Sequence, residues 1–123
     1  MEIIISNTNG KPIYEQITAQ IKGMIMKGTL DQGDALPSIR LLAKELRISV
    51  ITTKRSYDDL EKEGFIITIP GKGSFVSEKN KEFVREEQLR KVEENLQIAV
   101  EYGKNSGILL EEMQQILKML YEE

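Results

Sequence analysis

The sequence predicts a mainly α-helical protein with one small β-hairpin, divided into a domain over residues 1–78 and an α-helical region over residues 79–123. Three observations support this prediction. Apolar residues recur at helical spacing in five segments, Pro and Gly stand at the expected helix ends, and a Pro-Gly pair separates two short β-branched runs. The 123 residues, of which 40% are hydrophobic, suffice for one compact core or for a small domain with an appendage.

The first thirty residues predict an arm and a helix. Residues 3–5 form a short apolar run that predicts either a strand or an extended arm. Pro12 has the fixed φ angle that suits a first helical position, and Gly28 is a typical helix stop. The buried face of this helix is predicted to consist of Ile13, Ile17, Ile21, Met24 and Ile25.

Two further helices are predicted, each capped by a serine. Ser38 precedes a short helix, and Ser49 precedes a helix that ends near Lys62. The β-branched run 50–53 favours a strand by propensity alone, but the helical spacing of the residues after it outweighs this preference. The predicted core residues are Leu41, Leu42 and Leu46 in the first helix, and Thr53, Ser56, Tyr57 and Leu60 in the second. The outward face of the second helix is predicted to hold Ile51, Arg55, Asp58 and Lys62, flanked by Thr52, Lys54 and Asp59.

A hairpin is predicted after Gly64, with strands at residues 65–69 and 74–77. Pro70 and Gly71 suit the second and third positions of a type II turn, and Lys72 adds a positive charge at the tip. Helix, turn, helix and hairpin in this order predict a winged helix-turn-helix. Such a unit projects one helix and one loop from the same side, as is needed to fill adjacent grooves of duplex DNA.

The formal net charge of -3 is distributed unevenly along the chain. Residues 1–77 contain ten Lys or Arg and nine Asp or Glu, whereas residues 78–123 contain seven and eleven. The acidity therefore resides in the C-terminal region. The first domain is compatible with a double-stranded DNA partner if its basic residues share one face.

Composition excludes several function classes. The chain has no Cys and no His, which removes disulfides, thiolate ligands, the commonest catalytic base and the commonest zinc ligand. The run Gly71-Lys72-Gly73-Ser74 fails as a phosphate-binding loop because Gly73 stands where Ser or Thr is required. We therefore predict no enzyme activity, no cofactor and no metal site. The lack of a leader sequence and of a membrane-spanning apolar run predicts a cytoplasmic location without membrane contact.

The candidate DNA-binding residues lie at the starts of two helices and at the hairpin tip. They are Ser38, Arg40, Ser49, Ile51, Thr52, Lys54, Arg55, Gly71, Lys72 and Gly73. Arg40 could bind phosphate or guanine, or be an ordinary surface residue, and Ile51 could contact a thymine methyl group or belong to the core. Lys54 and Arg55 could instead pair with nearby carboxylates, Thr52 could bond its own helix, and the glycines could serve only the turn.

The C-terminal region is predicted to form two helices that need a partner surface. The charged segment 79–82 marks its start, and residues 103–107 interrupt the apolar pattern between the helices. Two helices of this length cannot bury their apolar stripes against each other alone. The acidic pairs along them are predicted to be solvated. The candidate dimerisation residues are Leu89, Val92, Leu96, Ala99, Val100, Met113, Ile116, Leu117 and Leu120.

Several motifs follow one another between residues 12 and 76. They are Pro12-Ile13-Tyr14-Glu15-Gln16-Ile17, Gly28-Thr29-Leu30 with Gly33, Leu36-Pro37-Ser38-Ile39-Arg40 with Leu42-Ala43, Gly64-Phe65-Ile66, and Gly71-Lys72-Gly73-Ser74-Phe75-Val76. In this order the motifs resemble the GntR family of bacterial transcription regulators. The short two-helix tail looks like that of the YtrA-like subgroup of this family.

The resemblance implies a homodimeric repressor that binds a palindromic operator, and members of the subgroup often accompany transporter operons. It implies that Arg40 contacts DNA, that residues 49–55 belong to the recognition helix and that residues 71–73 form the wing tip. Val50 and Ile69 depart from the residues that the family often has there, which predicts altered contacts. The competing hypothesis is a winged-helix protein-interaction module that docks through its acidic tail. The sequence predicts no particular small-molecule effector.

Overall fold

Five helices and one two-stranded antiparallel sheet make up the computed structural model, which describes residues 1–78 and 81–123. The elements in chain order are α1 (Ile13–Lys27), α2 (Ile39–Leu46), α3 (Val50–Lys62), β1 (Ile66–Ile69), β2 (Gly73–Val76), α4 (Lys81–Asn105) and α5 (Leu110–Glu122). The predicted fold class, mainly α-helical with one small hairpin and two C-terminal helices, is confirmed.

The chain divides into a first unit, Met1–Val84, and a second unit, Arg85–Glu123. The predicted boundary follows residue 78, and the charged segment assigned to it includes residues 79 and 80, which lie outside the described residues. That boundary stays a prediction. No helix of the described residues is long and apolar enough to cross a membrane.

The helix ends follow the capping residues of the sequence. The Oγ atoms of Ser38 and Ser49 accept hydrogen bonds from backbone N–H groups three residues later, at 3.1 Å and 3.0 Å, and so satisfy donors that have no partner within the helix. Pro12 is the N-cap residue of α1, which therefore begins at Ile13, one residue later than predicted. Gly28 caps the other end with a φ angle of 84°, which suits a residue without Cβ.

The core of the first unit lies between α1, α2, α3 and the hairpin. Its buried hydrophobic residues are Ile3, Ile17, Ile21, Ile25, Leu36, Leu42, Tyr57, Leu60, Phe65, Ile66, Val76 and Val84. Thr53 and Ser56 are also buried, so the predicted inner face of α3 is confirmed. Ile13, Met24 and Leu46 pack at the edge of this core and are only partly buried.

The prediction that Leu41 belongs to the core is wrong, because its side chain is 47% exposed. Leu42 and Ala43 are buried instead. Positions 39, 42, 43 and 46 share one face of a helix, since they follow the i, i+3, i+4, i+7 pattern. Leu41 is rotated by about 100° from Leu42 and so points away from this face.

Residues 3–5 form an extended arm, and none of the three is part of a strand. Ile3 is buried in the core. The Ile4 N–H donates to Gln20 Oε1 at 2.9 Å, and Gln20 Nε2 donates to the Ile4 carbonyl at 2.7 Å. The buried Gln16 binds both backbone groups of Ser6 in the same way. Two glutamine side chains on α1 thus take the place of a partner strand.

The hairpin pairs Ile66 with Val76 and Ile69 with Gly73. The Lys72 N–H donates to the Ile69 carbonyl at 2.9 Å, and Gly71 has a φ angle of 76°, as the predicted type II turn requires. A segment that the sequence did not predict adds to this sheet. Residues 33–36 run along β2, with an isolated bridge between Ala35 and Phe75.

The second unit contains the remainder of α4, from residue 85, and α5. Helix α4 continues through Gly103 to Asn105, so the predicted break at residue 103 is wrong. Gly103 is buried, and a Cβ atom placed there would lie 2.5 Å from Met113 Sδ. The glycine therefore leaves room for the Met113 side chain against α4, and the interruption comes after it, at residues 106–109. Every residue of α5 is described, and none of them is buried.

Candidate nucleic-acid interface

Helices α2 and α3 are joined by the three residues Arg47, Ile48 and Ser49. Arg47 adopts a left-handed conformation with a φ angle of 57°, and the Ile48 N–H donates to the Ala43 carbonyl at 3.0 Å. This geometry ends α2 and lets Ser49 cap the next helix. The pair is a helix-turn-helix, in which α3 occupies the position of the recognition helix.

Two hydrogen bonds, one buried and one partly buried, fix the inner side of α3. Ser56 Oγ lies 2.8 Å from Thr18 Oγ1 of α1. The Tyr57 hydroxyl donates to the Pro37 carbonyl at 2.7 Å, directly before the cap of α2. Burial, with a smaller contribution from Glu45, raises the pKa of Tyr57 well above its ordinary value, so this hydroxyl remains a donor throughout the physiological pH range.

The outer side of α3 is exposed as the helical spacing predicts. Ile51 is 81% exposed, and Arg55, Asp58 and Lys62 also face solvent. The alternative that Ile51 belongs to the core is thereby excluded. Lys54 is exposed on the flank, whereas Thr52 is half-buried.

Hydroxyl groups at the helix starts are engaged in capping. Ser38 caps α2, and Ser49 Oγ both accepts from the Thr52 N–H and donates to Thr52 Oγ1 at 2.7 Å. Thr52 Oγ1 thus has a hydrogen-bond partner at the start of its own helix, and its contact with DNA stays a prediction. These residues set the helix ends, and their hydroxyl groups already have partners at the helix starts.

Two basic residues of α3 have partners within the first unit. Lys54 Nζ forms an ion pair with Asp58 at 2.7 Å, four residues along the helix. Both side chains are more than half exposed, so this pair adds little stability and leaves Lys54 able to turn to a phosphate. The Arg55 guanidinium lies over the Tyr14 ring, 3.8 Å from its centroid. Stacking holds the plane of this guanidinium but leaves its edge of N–H donors available.

The other two basic candidates are unpaired in the part of the chain that the structure describes. Arg40 is exposed on the first turn of α2, and Lys72 is exposed at the hairpin tip. Lys72 stands between Gly71 and Gly73, which both have positive φ angles, so the tip is a narrow turn with one cation.

The candidates thus fall into two groups. Ser38, Arg40 and residues 49–55 lie on two helices that pack together, and residues 71–73 lie on the hairpin, whose first strand packs on α3. Tyr14 belongs to the same surface through its contact with Arg55, and the sequence analysis missed it. No local pattern could have revealed this contact, because the two residues are 41 positions apart.

No cluster of three acidic side chains among the described residues could hold a metal ion.

A helix-turn-helix followed by a two-stranded wing defines a winged-helix domain of the DNA-binding class. Residues 13–76 match the family model described as "Bacterial regulatory proteins, gntR family". The chain belongs to the GntR family, as the sequence motifs predict, and it is a transcriptional regulator by family.

Similar proteins extend the match to the C-terminal helices. The chain is 34% identical to the HTH-type transcriptional repressor YtrA of Bacillus subtilis, over 94% of this chain and 89% of the relative. A solved transcriptional antiterminator from Listeria monocytogenes covers 100% of this chain and 91% of its own, with a TM-score of 0.76 and 28% identity. YtrA from Sulfolobus acidocaldarius, described as a GntR-family transcription factor, has a TM-score of 0.59 and 36% identity, and the match covers 73% of this chain and 96% of that chain. The predicted resemblance to the YtrA-like subgroup is confirmed.

Proposed function

We propose that this protein is a cytoplasmic transcriptional repressor that binds a palindromic operator as a homodimer. The observation that carries the proposal is the exposed outer side of α3, held by the hydrogen bonds of Ser56 and Tyr57, together with the exposed cations Arg40 on α2 and Lys72 at the hairpin tip. A recognition helix must present such a face to enter the major groove. Repression is supported by the relationship to the Bacillus protein, which is named a repressor.

In this proposal the DNA-binding residues have distinct tasks. Arg40, Lys54 and Lys72 contact phosphates or base edges, because their charged groups are exposed or held only by a weak surface pair. Arg55 presents the edge of its stacked guanidinium. The helix starts are supported by Ser38, Ser49 and Thr52. Ile51 lies against the bases. The small size of Gly71 and Gly73 lets the wing tip approach the DNA backbone.

Dimerisation is proposed to occur through the second unit. Eight of the nine candidate residues are exposed, and Met113 is half-buried. Leu89, Val92, Leu96 and Val100 follow one another along α4 with exposures between 39% and 53%. Exposure of an apolar stripe of this kind to water is energetically unfavourable. A second copy of the chain would cover the stripe by forming a four-helix arrangement. The exposed side chains of α5 with the same proposed role are Ile116, Leu117 and Leu120.

A symmetric dimer would present two recognition helices to the operator. Reading of half-sites one helical turn apart requires a spacing of roughly 34 Å between these helices. The target is proposed to be an operon that encodes a transporter, which rests on the resemblance to the YtrA-like subgroup.

The proposal is tested by fluorescence anisotropy of the full chain with duplex DNA from upstream of its own gene and with a scrambled duplex. We expect tight binding that prefers the native duplex and weakens with salt, with a slope of about -0.9 per neutralised phosphate. Size-exclusion chromatography with light scattering should give the mass of a dimer. Equal, weak and salt-insensitive binding to both duplexes would refute the proposal.

The second candidate function is a protein-interaction module. The Lys54–Asp58 ion pair is the observation that favours it, because neutralisation of basic residues weakens phosphate binding. Both partners are exposed, however, and the pair costs little to open. Asp58→Asn separates the two functions. The substitution should strengthen binding to DNA and leave unchanged the binding of a protein partner that docks on the acidic C-terminal helices.

A further inference from the structure

The first turn of α3 presents two adjacent aliphatic side chains to solvent. Ile51 is 81% exposed and Val50 is 46% exposed. Single exposed hydrophobic residues are ordinary on protein surfaces, but these two stand at the N-terminus of a recognition helix. Recognition helices contact base edges with their N-terminal residues. These side chains therefore occupy the position from which bases are read.

The polar side chains of the same turn are engaged with each other. Ser49 Oγ accepts from the Thr52 N–H at 3.0 Å and donates to Thr52 Oγ1 at 2.7 Å. Ser49 Oγ uses its proton and one acceptor site in this cap, whereas Thr52 Oγ1 acts as an acceptor and keeps its own proton. The aliphatic pair makes none of these hydrogen bonds and so can meet a base without loss of a structural contact.

Charge around the aliphatic pair favours nucleic acid as the occupant. Residues 40–55 contain five Lys or Arg and one Glu. Lys54 and Arg55 are exposed one turn further along α3 than the aliphatic pair. Duplex DNA offers phosphates on both sides of a groove whose floor carries the bases, so a basic surface with an aliphatic centre matches it.

The C5-methyl group of thymine is the apolar group that the major groove displays. We propose that Ile51, supported by Val50, reads thymine methyl groups in each operator half-site. The inference rests on the proposed function and adds the means of base selection. Specificity at this turn arises from aliphatic contact with a methyl group, whereas the basic residues set affinity and register.

Deoxyuridine provides a direct test, because it lacks only the thymine methyl group. A selection from a random duplex library with the full chain first identifies the preferred half-site. Its thymines are then replaced one at a time by deoxyuridine, and binding is measured by fluorescence anisotropy. Loss of one contacted methyl group is expected to weaken binding about fourfold per half-site, which corresponds to ~0.8 kcal/mol. Replacement in both half-sites should weaken binding about fifteenfold.

Two variants show whether Ile51 is the residue that senses the methyl group. Ile51→Ala should bind the thymine duplex less tightly and lose no further affinity with deoxyuridine. The substitution leaves the core intact, because the side chain is 81% exposed. Ile4→Ala is the matched control: Ile4 is 71% exposed on the N-terminal arm, and its variant should keep the full response to deoxyuridine.

Three results would overturn this inference and leave the proposed function intact. They are equal affinity for the thymine and deoxyuridine duplexes, a preferred half-site without thymine, and an undiminished deoxyuridine effect in Ile51→Ala. A selection that returns no preferred sequence would overturn the proposed function itself, and the inference with it.

Discussion

Replacement of Tyr57 by Phe removes one hydrogen bond that ties the recognition helix to the start of α2. The Tyr57 hydroxyl donates to the Pro37 carbonyl at 2.7 Å, and the residue is 2% exposed. Phe fills the same space, so the change is confined to the hydroxyl group and the carbonyl that loses its donor. We expect the free energy of unfolding at pH 7 to fall by about 1–2 kcal/mol.

The same substitution should change the response of stability to alkaline pH. Burial and, to a smaller extent, Glu45 raise the pKa of Tyr57 above its ordinary value of 10.0. Above pH 10 the unfolded chain loses this proton while the folded protein keeps it, so the free energy of unfolding decreases as the pH rises. This one group lowers the free energy of unfolding by up to about 1.4 kcal/mol per pH unit. The stabilisation that it contributes is fully present below pH 10. Tyr57→Phe should lack this component.

Urea denaturation between pH 7 and pH 11, at one fixed protein concentration, measures both effects. Tyr121→Phe is the matched control, because Tyr121 is 88% exposed and its hydroxyl should contribute little to stability. We expect Tyr57→Phe to be less stable than the control at pH 7 and to approach it above pH 10. If the two variants have equal stability at pH 7 and the same pH dependence, the reasoning about the buried hydroxyl is refuted.

Three further predictions concern DNA binding and the C-terminal helices. Arg40→Ala should weaken operator binding about tenfold and reduce the salt slope by about 0.9 per protomer, since one phosphate contact is lost, while the mass in light scattering stays that of a dimer. Tyr14→Leu should weaken binding about two- to fivefold in anisotropy, because an exposed stack with Arg55 contributes roughly 0.5–1 kcal/mol. Gly103→Leu should lower the dimer fraction in light scattering at a fixed concentration, because its side chain would displace that of Met113, a candidate dimerisation residue whose Sδ lies 2.5 Å from the Cβ position.

Each of these predictions has a control and a result that would contradict it. The control for Arg40→Ala is Lys118→Ala, which removes an exposed charge from α5 and should leave the salt slope of DNA binding unchanged. Loss of the dimer in Arg40→Ala would mean that Arg40 has a structural role. Tyr102→Leu is the control for the stack of Tyr14 on Arg55. Equal affinities of Tyr14→Leu and Tyr102→Leu for DNA would contradict the view that Tyr14 orients Arg55 for binding. Gly23→Leu places a side chain where nothing lies within 4 Å of the Cβ position, and it should remain dimeric. An unchanged dimer fraction in Gly103→Leu would contradict a role for Met113 in dimerisation.

Local signals predicted most of the elements, because the residues that decide them are neighbours in the chain. Ser38 and Ser49 each cap a helix three residues ahead, and Gly71 closes a four-residue turn. The inner and outer faces of α3 follow from helical spacing alone. The same reasoning failed at Leu41, where two adjacent leucines compete for one face and only the packing of α2 decides between them.

Contacts between distant parts of the chain could not be predicted from such signals. The pairing of residues 33–36 with β2 depends on how the loop after α1 folds back, and nothing in its own sequence indicates a strand. Gly103 looked like a helix breaker because glycine has low helix propensity. In the structure the lack of a side chain is what allows Met113 of α5 to pack against α4.

For this protein the sequence by itself determined the class of fold, the family and the exposed face of α3, since periodicity and capping act within a few residues. Tertiary structure alone decided that Arg55 stacks on Tyr14, that the arm is held by glutamine side chains and that Leu41 is exposed. These features depend on which surfaces meet when the helices pack. Packing is a property of the whole core rather than of any one segment.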